Sequence, residues 1–164
     1  MTPERRGKQI SVIGSGTCKE GSEPWRLAED VGRLLAQAGV AVVCGGLTGV
    51  MEAASRGAAG AGGTVIGIVP HDSPEHANPY CTYVVSTGVG HARNLAVAAS
   101  GEAAIAIGGE WGTLSEIGHA RKLGRTVVTL RSWTVKGEGP MESAPGMVRA
   151  STAEEAVAAA LDGA

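Results

Sequence analysis

The stretch Ala103-Ala104-Ile105-Ala106-Ile107-Gly108-Gly109-Glu110-Trp111-Gly112-Thr113-Leu114-Ser115-Glu116 decides the fold. Five apolar residues in a row, without polar alternation, read as a strand buried on both faces. The run stops at a glycine pair, and a helical pattern opens at Thr113 with Glu116 in its first turn. Strand, tight turn and helix form one unit. Backbone N–H groups at such a turn suit a phosphate, and the carboxylate suits acid–base work on whatever carries it.

Outward from this unit the same alternation recurs. Ile10–Ile13 reads as the first strand, followed by the loop Gly14-Ser15-Gly16. A helix follows over Pro24–Ala38, with Ser22 as N-cap and Gly39 as its stop. Val40–Cys44 is a strand, Gly45-Gly46-Leu47-Thr48-Gly49 its turn, and a helix runs on to Gly60. Thr64–Val69 and Tyr83–Val85 read as strands on either side of the loop His71–Pro79. A helix starts near His91 and ends at Ser100. Beyond the opening unit, whose helix reaches Leu123, come the strand Thr126–Leu130 and a short edge strand at Met147–Arg149. Ser151-Thr152-Ala153-Glu154 reads as a capping box for a last helix through Leu161. This pattern predicts an α/β, Rossmann-like, doubly wound parallel sheet with helices on both faces. Residues 1–164 are expected to make a single domain, with 1–8 as a flexible N-terminus and 132–146 as a loop.

Composition narrows the partners. Hydrophobic residues make up 43% of the 164 and charged residues 18%, which suits a well-filled core. A net charge of −2 leaves no basic footprint for nucleic acid or for anionic membranes. No apolar stretch reaches the roughly 18 residues of a membrane span. The polar start argues against a secretory signal, so a cytoplasmic location is expected. Three cysteines, Cys18, Cys44 and Cys81, show no C-x-x-C spacing and read as reduced thiols, Cys44 as a small buried residue.

In such sheets ligands sit beyond the carboxyl ends of the strands. Four loops there are rich in small residues and precede helices: Gly14–Gly21, Gly45–Gly49, Gly88–Asn94 and Gly108–Thr113. Together they point to a crevice for a phosphate-bearing ligand. The dinucleotide fingerprint is incomplete, because Lys19 stands where a third glycine would follow Gly14-Ser15-Gly16 and no acid closes the second strand. An ordinary NAD-dependent dehydrogenase and a Walker-type nucleotide site are therefore disfavoured.

Arg93 stands in the first turn of its helix, where the macrodipole disfavours a cation by a few tenths of a kcal/mol. A bound anion would reverse that sign. Glu116 has two readings: acid–base residue, or partner of Thr113 in a capping box. Glu110 reads as a solvated loop carboxylate or an inter-subunit contact. His71-Asp72-Ser73-Pro74-Glu75-His76 lacks a metal-ligand spacing, so no metal is expected. His91 could cap its helix or touch a phosphate, and no partners for Ser15 or Ser86 suggest a hydrolase triad. Trp25, Trp111 and Trp133 could stack on a base, with Trp111 read as core or dimer interface.

Three motifs, Gly45-Gly46-Leu47-Thr48-Gly49-Val50-Met51, Ala92-Arg93-Asn94 and Gly109 through Glu116, resemble those of the Lonely Guy superfamily. The resemblance covers Ile10 to Val128. It implies a homodimer or higher homo-oligomer that binds a nucleoside 5′-monophosphate. It also implies that Arg93 and Glu116 support hydrolysis of the base–ribose bond, releasing ribose 5-phosphate. Gly14, Ser15, Gly45, Gly46, Thr48, Gly49, Met51, Asn94, Gly108, Gly109, Gly112 and Thr113 would line the ligand site. The chain departs from the enzymes' Pro-Gly-Gly-x-Gly-Thr loop at Gly108 and Glu110, carries Asn94 where they have lysine, and has a shorter helix after Glu116. These departures resemble a short branch that includes molybdenum-cofactor carrier proteins. No cofactor is required on this reading; a nucleotide or the molybdenum cofactor, a pterin, would be the ligand. Hydrolase and non-catalytic carrier or sensor both stand.

Overall fold

The computed structural model describes residues 6–137 and 146–164. Seven parallel strands form one sheet: β1 (Gln9–Gly14), β2 (Ala41–Cys44), β3 (Val65–Val69), β4 (Tyr83–Ser86), β5 (Ala103–Ile107), β6 (Thr126–Leu130) and β7 (Met147–Ala150). Their spatial order is β4-β3-β2-β1-β5-β6-β7. Chain direction across the sheet reverses between β1 and β5, and this switch point opens a crevice at the strands' carboxyl ends.

Among the described residues five α-helices cover the sheet: α1 (Glu23–Gln37), α2 (Val50–Gly60), α3 (Arg93–Ser100), α4 (Trp111–Lys122) and α5 (Ala153–Asp162). Alternation along each strand divides the core in two. Ile10, Val12, Val42, Ile105, Ile107 and Val128 face α1, α2 and α5, while Ile13, Val43, Ala104, Ala106 and Val127 face α3 and α4. Each fully buried Val, Leu or Ile is worth about 1.5–3 kcal/mol, which is why these continuous apolar runs settle as central strands.

Helices α1 and α2 cross unusually close. A Cβ on Gly32 would stand 2.0 Å from the Ala54 carbonyl oxygen, and one on Gly57 would stand 1.9 Å from that of Glu29. Glycine at both positions lets the two backbones touch. The contact holds the loops that precede these helices in one register.

Helix boundaries correct the sequence reading in three places. Helix α4 begins at Trp111, not Thr113, because the turn uses only Gly108–Glu110; Gly108 and Gly109 have φ of 58° and 127°. Its N-cap is Glu110, so the Thr113–Glu116 capping box does not form, and both residues are buried inside the helix. The last helix does have a capping box, shifted by one residue: Thr152 Oγ1 accepts from the Glu155 N–H at 3.2 Å, and Glu155 Oε2 accepts from the Ser151 N–H at 2.8 Å. Ser22 is the N-cap of α1, yet its hydroxyl donates to the Lys19 carbonyl at 2.6 Å instead of capping the helix. Of the expected N-terminal tail and loop, 1–5 and 138–145 lie outside the described residues.

Candidate functional site

The loop after β1 and the loop after β2 are tied to each other. Val50 N–H donates to the Ser15 carbonyl at 2.8 Å, and Thr48 Oγ1 donates to the Gly16 carbonyl at 2.8 Å. Gly49 makes the approach possible: its φ is 66°, and a Cβ there would stand 2.2 Å from the Ser15 oxygen. Ser15 N–H in turn donates to the Ile107 carbonyl at 3.3 Å, joining both loops to the end of β5.

These loops, with α3 and α4, enclose a cavity of about 190 Å³ at the β1/β5 switch point. Its wall includes Gly14, Gly45, Met51, Arg93, Asn94, Gly112, Thr113 and Glu116 from the expected set. The other expected residues stand around it. Ser15, Thr48 and Gly49 form the loop-to-loop ties, and Gly46 packs behind them against Val69 and Gly67. Gly108 and Gly109 line a neighbouring cavity on the other side of their turn. His91 reaches the first cavity, as one of its two readings allowed.

Arg93 and Glu116 meet inside this cavity. Both residues are 7% exposed, and Arg93 Nη1 lies 3.9 Å from Glu116 Oε1. Arg93 Nη2 donates to the Gly45 carbonyl at 3.2 Å, and Nη1 donates to Asn94 Oδ1. Its Nε is buried with no hydrogen-bond partner. Burial lowers the Arg93 pKa, and the carboxylate of Glu116 opposes that shift. Burial pushes Glu116 up to about 7, against the pull of Arg93 and with a smaller push from Cys44. A carboxyl poised there exchanges a proton at neutral pH, as a general acid or base must.

Glu110 is exposed at the turn, in keeping with its reading as a solvated loop carboxylate, but it is not without contacts. It lines the cavity, and its Oε1 accepts from Thr17 Oγ1 at 2.6 Å and Ser15 Oγ at 3.2 Å. Thr17 was missed altogether. The hydroxyl pair in Ser15-x-Thr17, two residues apart in a loop, was the available signal. Trp111 is 76% exposed and so is not core; its ring lies 5.3 Å from that of Trp133. Among the described residues no group of three or more His, Cys, Asp or Glu side chains could hold a metal ion, and no helix is long and apolar enough to cross a membrane.

Comparison with known proteins bears on the family and the fold. Residues 7–158 match the model of the SLOG cluster4 family. An uncharacterized protein of Archaeoglobus fulgidus is 41% identical over 91% of this chain and 91% of its own. A cytokinin riboside 5′-monophosphate phosphoribohydrolase of Rhodococcoides fascians is 32% identical over 66% of this chain and 57% of its own length. The solved molybdenum cofactor carrier protein of Chlamydomonas reinhardtii superposes with a TM-score of 0.82 at 28% identity, covering 96% of this chain and 98% of that one.

Proposed function

Because the chain belongs to the SLOG cluster4 family, whose relatives include a phosphoribohydrolase and a molybdenum cofactor carrier, we propose that its β1/β5 cavity binds a phosphate-bearing, nucleotide-like ligand and hydrolyses the N-glycosidic bond of a nucleoside 5′-monophosphate. The observation that carries this reading is the buried Arg93–Glu116 pair, with Glu116 held near neutrality. Burying two such charges costs several kcal/mol, so a pair with one guanidinium nitrogen unsatisfied is poor as a structural device. It makes sense as a site prepared for a ligand.

In the reaction the C1′–N bond breaks as the ribose takes on oxocarbenium character. Water adds its hydroxyl to C1′ and gives its proton to the Glu116 carboxylate, which passes it on to the nitrogen of the departing base and returns to its starting state. Free base and ribose 5-phosphate result. Arg93 partly offsets the burial that pushes Glu116 up, and it offers a cation to the ligand's oxygens. The N–H groups of the first turn of α4, Trp111 to Thr113, have no partner within the helix and suit the phosphate.

A second reading is a non-catalytic carrier or sensor of a pterin cofactor or nucleotide. It is favoured by the full-length likeness to the carrier protein and by the carboxylate of Glu110 in the turn. Incubating purified protein with AMP, and measuring free adenine and ribose 5-phosphate beside a Glu116→Gln variant, separates the two. Release that depends on Glu116 supports the hydrolase. Release that is absent, or equal in the variant, refutes it. Native mass spectrometry of freshly purified protein would then show the carrier's ligand as added mass.

A further inference from the structure

The turn Gly108–Glu110 has a cavity on each side. The outer one, about 340 Å³, is lined by Gly108, Gly109, Arg131, Ser132 and Trp133 beyond the ends of β5 and β6. Its floor is stitched to the turn: Ser132 Oγ donates to the Gly108 carbonyl, and Trp133 Nε1 donates to the Glu110 carbonyl at 3.3 Å. Trp133 packs against the core on the α3/α4 side, while the neighbouring Trp111 ring is left in solvent. Two indoles stand side by side with a guanidinium close by.

Arg131 has an unusual backbone. Among the described residues it is the one non-glycine with positive φ, at 53°. L-residues other than Asn, Asp and Gly adopt that conformation against their own preference, and such positions gather at ligand clamps. Its side-chain tie is weak, an ion pair to Glu23 at 3.3 Å with both partners more than half exposed. An anion could draw the guanidinium away from Glu23 at little expense.

We propose that the outer cavity is a second binding subsite, for the planar heterocycle and adjoining phosphate of the distal half of a two-part ligand. The ring stacks on Trp133, and Arg131 takes a phosphate oxygen. The ligand crosses the turn at Gly108-Gly109, which carry no side chains of their own. Its first half occupies the inner cavity, so this inference rests on the nucleotide-binding reading given above.

The test compares AMP with diadenosine diphosphate, in which a second adenosine is joined through a diphosphate, by calorimetric titration of the full chain. The two-part ligand is expected to bind at least about tenfold more tightly than AMP. Arg131→Gly removes most of that advantage and leaves the affinity for AMP unchanged, and Trp133→Leu removes most of the advantage too. Arg131→Gly also raises Tm, because glycine accepts the backbone conformation. That combination, a more stable protein with a weaker grip on the larger ligand, is not the signature of a structural arginine. It also keeps the test sound if Trp133→Leu fails to fold. If AMP binds and diadenosine diphosphate binds no better, or equally well in Arg131→Gly, the outer subsite is refuted while the inner reading stands. If diadenosine diphosphate binds through Trp133 and Arg131 while AMP fails to bind, the subsite stands and the inner reading falls. Binding of neither probe overturns both.

Discussion

Replacing Glu116 with Gln tests whether burial sets the character of the site. Glu116 is 7% exposed, and its pKa rises from 4.5 to about 7. Each pKa unit is worth about 1.4 kcal/mol, so ionising Glu116 in the folded protein costs about 3 kcal/mol more than in the unfolded chain. The sign follows from proton counting. Between pH 4.5 and 7 the native state binds more protons at this group than the unfolded state, so its contribution to stability falls as pH rises through that window. It is constant above and below. Gln cannot titrate, and Arg93 stays charged throughout, which adds only a constant offset. The stability of the wild-type chain relative to Glu116→Gln should therefore drop by about 3 kcal/mol between pH 4 and pH 8. At the usual sensitivity of a domain of this size, that moves the difference in Tm by on the order of 10 °C. Thermal unfolding of both proteins across this range reads the effect directly, because groups common to both cancel. Parallel Tm curves would refute the argument that desolvation dominates at Glu116.

Two further perturbations probe the turn and the scaffold. Removing the carboxylate with Glu110→Gly should raise affinity for AMP about tenfold at low salt, with less gain at high salt, since exposed charges are screened. Unchanged affinity in calorimetry would mean that the Ser15 and Thr17 hydroxyls hold Glu110 clear of the ligand. In the scaffold, Gly32→Ala should lose about 3 kcal/mol in urea unfolding, because the new methyl would meet the Ala54 carbonyl at 2.0 Å. Gly118→Ala, a helical position with nothing within 4 Å, should gain close to 1 kcal/mol. Equal effects at the two glycines would show that intrinsic helix propensity, not the crossing of α1 and α2, governs both.

The inner strands were legible because apolar runs such as Ala41–Cys44, Val65–Val69 and Ala103–Ile107 make sense only when buried on both faces. Even the short edge strand, expected over Met147–Arg149, forms as β7 over Met147–Ala150. Helix starts were less legible. Thr113 and Glu116 have the spacing of a cap, but spacing is blind to the two positive-φ glycines that start α4 early and carry both residues into the interior. Arg93 and Glu116 were visible as candidates, since a cation at a helix start and an acid after a glycine turn are locally awkward. That they lie 3.9 Å apart depends on strand order, which no local pattern encodes. Glu110 hid its hydroxyl contacts for the same reason. Its partners, Ser15 and Thr17, are more than 90 positions away in the chain and arrive only when β1 pairs with β5.

The pairing of β1 with β5 also orders events during synthesis. Ser11 to Gly14 face Ala104 to Ile107 across the middle of the sheet. A nascent chain holds one wall of the crevice, from Gly14 to Met51, long before the ribosome has released the other. Until residue 107 has emerged, the first strand has an open edge on the side where the crevice will form. A ligand therefore can stabilise only a chain in which both walls of the crevice, through Glu116, have been made. Any supply of ligand in the cell would influence the lifetime of the completed protein more than the yield of its first half.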